Sequence, residues 1–474
     1  MPSNQENGSW YELLWGGNGL RSLALAGGVA VHAVNVYIAT TILPSIVADI
    51  GGLAYYAWNT TLFVVASILG SAISPQAVGS LGLRRAFLCA LAIFAAGTMV
   101  CALAPSMPVL LLGRTAQGLG GGLLLGLSYS AVRLVFDARL WSRAMVLISS
   151  MWGVATLAGP AIGGIFAQAG HWRLAFWSVL PIAAVLAVLV CTRIAGVSKH
   201  EDGPVRAPLG MISLLAVSVL AVSLGSLSDK LEWNAAGIAA GVLITGWIAR
   251  ADDRAAVRLF PTGSYSPFTP LGSLYASICL LSIGVTTEIY IPYFLQHIHG
   301  KSPLAAGYWT ALMSAGWTLG SFASSGRRRK LADRLMLAGP AISAVSLLLL
   351  AFMLPMTSLS ADGKGAYGLM PPLLGVGLGV GFCWPNMLTR IYQSAPAGQE
   401  NIASAAITTL QLYAMAMGAA LAGMVTNAAG FTEPGGPAGG RQAAWVLFAV
   451  FACAPGLAVF LGKGARGAGA PQGR

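Results

Sequence analysis

One acidic side chain, Glu288, lies deep inside a long apolar stretch, Gly284-Val-Thr-Thr-Glu288-Ile-Tyr-Ile-Pro292, with no charged neighbour in sequence. Arg114 sits in similar surroundings, in Leu112-Gly-Arg114-Thr-Ala-Gln117-Gly118. An ionisable group held away from water is costly unless it is paired, solvated or protonated, so each marks a candidate functional site. A lone carboxyl there can take up and release a proton, attract a cationic group, or hold a fixed structural partner. His32, one turn before Asn35, is a third titratable group in an apolar run. It reads either as a proton relay or as a hydrogen-bonded packing residue.

The elements that carry these groups are membrane-spanning helices. Of 474 residues, 56% are hydrophobic and 9% charged, against about 25% charged in soluble domains. The 60 glycines fall inside apolar runs, where small residues let membrane helices approach closely. The net charge of +12 is spread singly between apolar spans. That pattern fits positive cytoplasmic loops facing lipid head groups and gives no reason to expect a nucleic-acid partner. The six cysteines lie within hydrophobic segments and form no CxxC, so no metal, redox or loop disulfide framework is read. The first 20 residues lack Lys and Arg, which is wrong for a signal peptide. Trp10, Tyr11, Leu13, Leu14 and Trp15 form either a short interfacial anchor or part of an unanchored tail. No nucleotide loop, HExxH or serine elbow occurs, so neither an enzyme nor a cofactor is expected, and transport driven by an ion gradient is favoured over ATP.

A span needs about 20 mostly apolar residues. Fourteen are read, at 23–46, 57–78, 86–104, 108–132, 144–167, 174–194, 209–228, 235–249, 272–295, 304–325, 335–355, 367–389, 402–427 and 443–462. The eighth is the shortest of these. With the N-terminus inside, the outer loops hold Arg173, Lys230, Lys301, Lys364 and Arg441; with Arg114 inside a span, that leaves 21 of the 27 Lys and Arg on the inner side. This asymmetry predicts fourteen spans with both termini cytoplasmic. Two longer hydrophilic stretches, 195–208 and 250–271, bracket spans seven and eight. The division is a tail over 1–22, a six-helix bundle over 23–195, a two-helix hairpin with its loops over 196–271, a second six-helix bundle over 272–463 and a tail over 464–474.

Several motifs resemble the major facilitator superfamily, in its fourteen-span drug:proton antiporter branch. Gly159-Pro160-Ala-Ile-Gly163-Gly164 resembles that branch's fifth-span motif, in which Pro and Gly bend a helix and permit close packing. The stretch around Arg114 resembles the buried-arginine motif of the fourth span. Phe294-Leu-Gln296 with Gly300-Lys-Ser-Pro303-Leu-Ala-Ala-Gly307, and His171-Trp172-Arg173-Leu-Ala-Phe176, resemble other family segments. The resemblance implies an all-α membrane protein of two six-helix bundles plus the inserted hairpin, exporting its substrate in exchange for protons.

Two usually acidic positions differ. In Pro75-Gln-Ala-Val-Gly79-Ser-Leu-Gly82-Leu-Arg84-Arg85 the arginines of the family's cytoplasmic gate remain, but Gly79 stands where the acid belongs. Asn35 occupies the place of the first-span Asp, and an amide cannot carry a proton in and out. Glu288 is then the remaining deep acid able to answer Arg114. It is about 8 residues, or roughly 12 Å, from the outer end of its span, against about 7 residues and roughly 10 Å for Arg114. The proton-coupling candidates are Glu288, Arg114 and His32. Asn35, Gln117, Trp152, Trp309, Trp384, Asn386 and Gln411 are substrate-contact candidates, with Pro385 expected to break the helix beside Trp384 and Asn386. Aromatics with a few amides suit a small amphipathic organic substrate. The readings are proton-coupled export of such compounds, by a monomer in a bacterial inner membrane, or dedicated export of an endogenous metabolite such as a siderophore.

Overall fold

The computed structural model describes residues 9–194, 208–228, 230–356 and 365–465. Lys199, Arg206, Lys364, Arg466 and Arg474, and the first eight residues of the tail, lie outside the described residues. Regular structure among the described residues is helical throughout. In chain order the helices are α1 (Trp10–Leu14), α2 (Gly16–Ile50), α3 (Trp58–Leu81), α4 (Leu83–Leu103), α5 (Met107–Val135), α6 (Trp141–Gln168), α7 (Trp172–Trp177) and α8 (Val179–Arg193). They continue with α9 (Leu209–Gly225), α10 (Leu231–Asp252), α11 (Pro270–Val285), α12 (Ile291–His297), α13 (Pro303–Ser324) and α14 (Arg329–Met353). The last three are α15 (Met370–Ser394), α16 (Glu400–Ala428) and α17 (Gly436–Ala465).

Twelve helical segments are long and apolar enough to cross a membrane. Two of the fourteen expected spans fall outside that set. Helix α9 has 17 residues, and α13, with 22 residues, is less apolar. The eighth span is not the shortest, as expected, because α10 runs for 22 residues, extended at its ends by Glu232, Trp233 and Arg250. The seventh is the shorter one.

The chain forms two compact units. One comprises Met1–Ile50 and Leu62–Ile212, the other Gly51–Thr61 and Ser213–Arg474. In the first, α5 lies against the backbone of α3 through Gly118 and Gly122. A Cβ on either would approach the Phe63 or Ser67 carbonyl oxygen to 2.2 Å, so only glycine fits, and Ser67 Oγ donates across the seam to Gly118 O at 3.1 Å. The second unit repeats this device. Gly377 and Gly381 of α15 press on the Met313 and Trp317 carbonyls of α13, and Ser324 Oγ donates to Gly381 O at 3.1 Å. Close backbone contact bridged by a hydroxyl is how helices associate where no hydrophobic force drives them together.

Most of the hairpin, including all of α10, clusters with the second unit. The Tyr413 hydroxyl on α16 is shared with Ser218 of α9 at 3.2 Å and Thr245 of α10 at 2.7 Å. After α10 the chain knots around Asp252. Its carboxylate accepts from the Leu259 and Phe260 amides, at 2.6 and 3.0 Å, and from the Tyr265 hydroxyl at 2.9 Å.

The structure corrects the expectation for Pro385 and adds an interruption next to Pro292. Pro385 does not break its helix, which continues through it to Ser394. A proline removes the donor for the carbonyl four residues earlier; that carbonyl is Gly381 O, which takes the Ser324 hydroxyl instead. Conversely, span nine is not one helix. It stops at Val285, tightens into a 3₁₀ turn over Thr286–Ile289 and resumes at Ile291. Pro292, in the first turn of α12, has no amide hydrogen to give the Glu288 carbonyl.

Candidate functional site

In the first unit five of the named side chains, Arg114, Asn35, Gln117, His32 and Trp152, are drawn together. Arg114 is 1% exposed, and its Nη1 donates to Asn35 Oδ1 at 2.6 Å and Gln117 Oε1 at 2.7 Å. Because guanidinium only donates, both amides must turn their oxygens toward it. Gln117 then has its nitrogen free for Thr98 Oγ1, at 2.9 Å, and Thr98 passes its own hydrogen to Phe94 O at 2.7 Å. Cys101 Sγ adds a weak donor to Gln117 Oε1 at 3.5 Å. The Phe63 ring lies 4.1 Å from the guanidinium carbon, a cation–π contact strengthened by burial. The other neighbour of that ring is His32, with ring centroids 5.2 Å apart, and Trp152 stands edge-on to His32 at 6.0 Å. His32 Nδ1 and Asn35 Nδ2 are buried and have no hydrogen-bond partner. The cluster is therefore a held cation with two unsatisfied polar atoms beside it.

The local reasons are legible. Arg114 and Gln117 are three residues apart on α5 and share a face. Asn35 reaches them because α6 lets α2 in close. A Cβ at Gly159 would come within 2.3 Å of Tyr37 Cβ, and one at Gly163 within 3.1 Å of Ile38 O. Gly159, Pro160, Gly163 and Gly164 are all buried. Arg84 and Arg85 are exposed at the start of α4. Asp49, at the end of α2, is clasped by Trp172 Nε1 at 3.1 Å and Arg173 Nη1 at 2.5 Å, and Arg173 also donates to Ala104 O. The Trp-Arg pair thus fastens α7 to α2 and to the turn after α4.

In the second unit, Glu288 lies on the 3₁₀ turn between α11 and α12 and is partly exposed. Among the described residues its carboxylate is in no hydrogen bond or ion pair. Its neighbours Thr286 and Thr287 turn their hydroxyls back onto Ile283 O and Gly284 O. Tyr290, which ends the turn, receives a hydrogen bond at its hydroxyl from Thr426 at 2.8 Å. The remaining candidates are not drawn into one cluster. Trp309 packs on Tyr367, with Lys301 Nζ 5.0 Å from its ring centroid. Trp384 meets Trp317 edge-on at 5.0 Å, Asn386 donates to Phe382 O, and Gln411 is partly exposed on α16.

Sequence reasoning missed Phe63, Thr98, Tyr290 and Thr426. Each is an ordinary residue in its own helix, and only its partner on another helix reveals it.

Spanning helices with a buried arginine network and a carboxyl on a helix break define a multi-pass helical membrane protein with ionisable groups inside its spans. The Major Facilitator Superfamily model matches residues 25–419, and the chain belongs to that superfamily. It is 36% identical over 464 residues to a probable multidrug-efflux transporter of Mycobacterium tuberculosis (strain ATCC 25618 / H37Rv), covering 96% of each chain. Over 211 residues, 44% of this chain and 38% of the other, it is 32% identical to an MFS-type transporter of the acurin A biosynthesis cluster in Aspergillus aculeatus. The crystal structure of a proton dependent oligopeptide (POT) family transporter shares the fold, with a TM-score of 0.66 at 17% identity over 93% of this chain and 99% of that one. The chain is a transporter of this superfamily rather than an enzyme.

Proposed function

We propose that the protein exports small amphipathic organic compounds in exchange for protons, by alternating access. It acts as a fourteen-span monomer with both termini cytoplasmic, in a bacterial inner membrane. The observation that carries the coupling half of this reading is the Glu288 carboxylate, unpaired among the described residues and placed on a break in its helix. A carboxyl with no fixed partner can change protonation without dismantling a structural ion pair, and charged groups at such depth mark proton and substrate paths. Export is supported by the multidrug-efflux relative that matches nearly the whole chain.

The Arg114 cluster serves as the polar floor of the substrate site. Asn35 and Gln117 hold the guanidinium, while His32, Trp152 and Phe63 supply flat apolar surface. Trp384, Asn386, Gln411 and Trp309 are the contacts proposed in the second unit. With the amide Asn35 where an acid is usual, the site favours monocationic or zwitterionic compounds over dications. A second reading, export of a single endogenous metabolite, is supported by the likeness to the transporter from a biosynthesis cluster.

The test is transport by purified protein in proteoliposomes under an imposed pH difference, with lipophilic monocations, dications, zwitterions and siderophore-like anions as substrates. Movement of several lipophilic monocations or zwitterions, dependent on the gradient, is expected. Transport of one anion alone would favour the second reading, and transport indifferent to the gradient would overturn proton exchange.

A further inference from the structure

The connection between α2 and α3 is built for more than joining them. Residues Gly51–Thr61, which include the first turn of α3, cluster with the second unit, although α2 and the rest of α3 belong to the first. Helix α2 ends at Ile50, and Gly51 and Gly52 follow with φ of +71° and +84°. A Cβ at Gly51 would meet nothing, so backbone conformation rather than space calls for glycine there. The chain then makes one 3₁₀ turn, Leu53–Tyr55, and delivers Tyr56 into the second unit.

Tyr56 is fully buried. Its ring stacks on Tyr290 at 4.9 Å and meets Tyr293 and Phe431 edge-on at 5.6 and 5.7 Å. Beside it, Ala57 fits against Gly423, where an added Cβ would come within 2.8 Å of the Ala57 Cβ. Asn427 Nδ2 holds the segment by its backbone, donating to Ala54 O at 3.2 Å and to Ser226 O at 3.1 Å. Against these contacts stands one unfavourable feature: the Tyr56 hydroxyl is buried with no partner. An unsatisfied buried hydroxyl opposes the state that buries it, so the docked arrangement is held by stacking and Asn427 and is poised to release.

Tyr290 ends the 3₁₀ turn that carries Glu288. We propose that Gly51–Thr61 is an outer latch. Docked, Tyr56 caps the helix break that holds Glu288; released about the Gly51–Gly52 hinge, it opens that break to the outer aqueous phase. The inference rests on the reading of Glu288 as the proton-exchanging carboxyl and of this connection as an outer loop.

Two measurements test it. In a cysteine-free background the pair Ala57→Cys and Gly423→Cys places two Cβ atoms 2.8 Å apart, so the seam must open by about 1 Å to reach the roughly 3.8 Å typical of a disulfide. Oxidation is expected to stop transport and reductant to restore it, with each single variant active; a confirmed cross-link that leaves transport intact overturns the latch. The second does not depend on accommodating a side chain at Gly423. Thr287→Cys is labelled from outside with a membrane-impermeant maleimide, with and without Asn427→Ala. Removing the Ala54 clamp is expected to raise the labelling rate roughly five- to tenfold, the effect of one lost hydrogen bond on a two-state balance. An unchanged rate overturns the proposal. If the cross-link stops transport while Glu288→Gln remains proton-coupled, the latch stands and the coupling assignment fails.

Discussion

Arg114 of α5 and Asn35 of α2 are joined by a 2.6 Å hydrogen bond in which the amide oxygen faces the guanidinium. The amide stands where an acid is usual, and its nitrogen is left buried without a partner. Restoring the acid removes that orphan donor and makes the bond charge-assisted. Asn35→Asp is therefore expected to raise thermal stability in detergent by about 1–2 kcal/mol, and a fall in the unfolding midpoint would contradict this.

Thr98 anchors the far end of the same network by accepting from Gln117 Nε2. Thr98→Val keeps the shape and deletes the acceptor. The stranded amide is expected to cost about 1–3 kcal/mol, seen as a lowered midpoint. Affinity for amphipathic substrates should weaken with it as Gln117 loses its fixed orientation. Unaltered stability and affinity would show that Gln117 does not depend on Thr98.

Gly159 admits α2 to the face of α6, with Tyr37 Cβ in the space a side chain would need. Gly159→Val is expected to abolish transport and to cost about 1–3 kcal/mol through overpacking. Gly153, six residues earlier on the same helix, faces open space, and Gly153→Val should transport normally. Equal activity of the two variants would refute a packing role for the motif.

Tyr413 ties both hairpin helices to α16 through one hydroxyl. Tyr413→Phe retains the ring and removes both bonds, at a cost of about 1 kcal/mol for each. Limited proteolysis at the loops flanking α9 and α10 should accelerate. If cleavage is unchanged, apolar packing alone holds the hairpin.

Helix positions were legible in the sequence because length and apolarity decide what can cross a membrane. The Gly159–Gly164 seam was legible too, since few residue types allow that approach. The Arg114–Gln117 contact follows from helical spacing, whereas Phe63, Thr98 and the Ser324 hydroxyl that answers Pro385 come from other helices and leave no periodic trace. Pro385 shows this limit in one direction: a break was expected, and Ser324 of another helix repairs it. Glu288 shows it in the other. The signal for its 3₁₀ turn was Pro292, four residues on, which becomes informative once the missing hydrogen bond is assigned to the Glu288 carbonyl. Tyr56 was overlooked because a short connection between spans reads as solvent-facing loop.

Proton exchange at Glu288 is the central claim, and its most direct test is proton flux in proteoliposomes holding wild-type protein or Glu288→Gln. Glutamine keeps the shape of the side chain but cannot take up and release the proton. The account predicts that substrate-evoked proton movement falls to the level of empty liposomes in the variant while substrate binding survives. Undiminished, substrate-evoked proton movement in Glu288→Gln would contradict it and move the coupling site elsewhere, with His32 the next group to test.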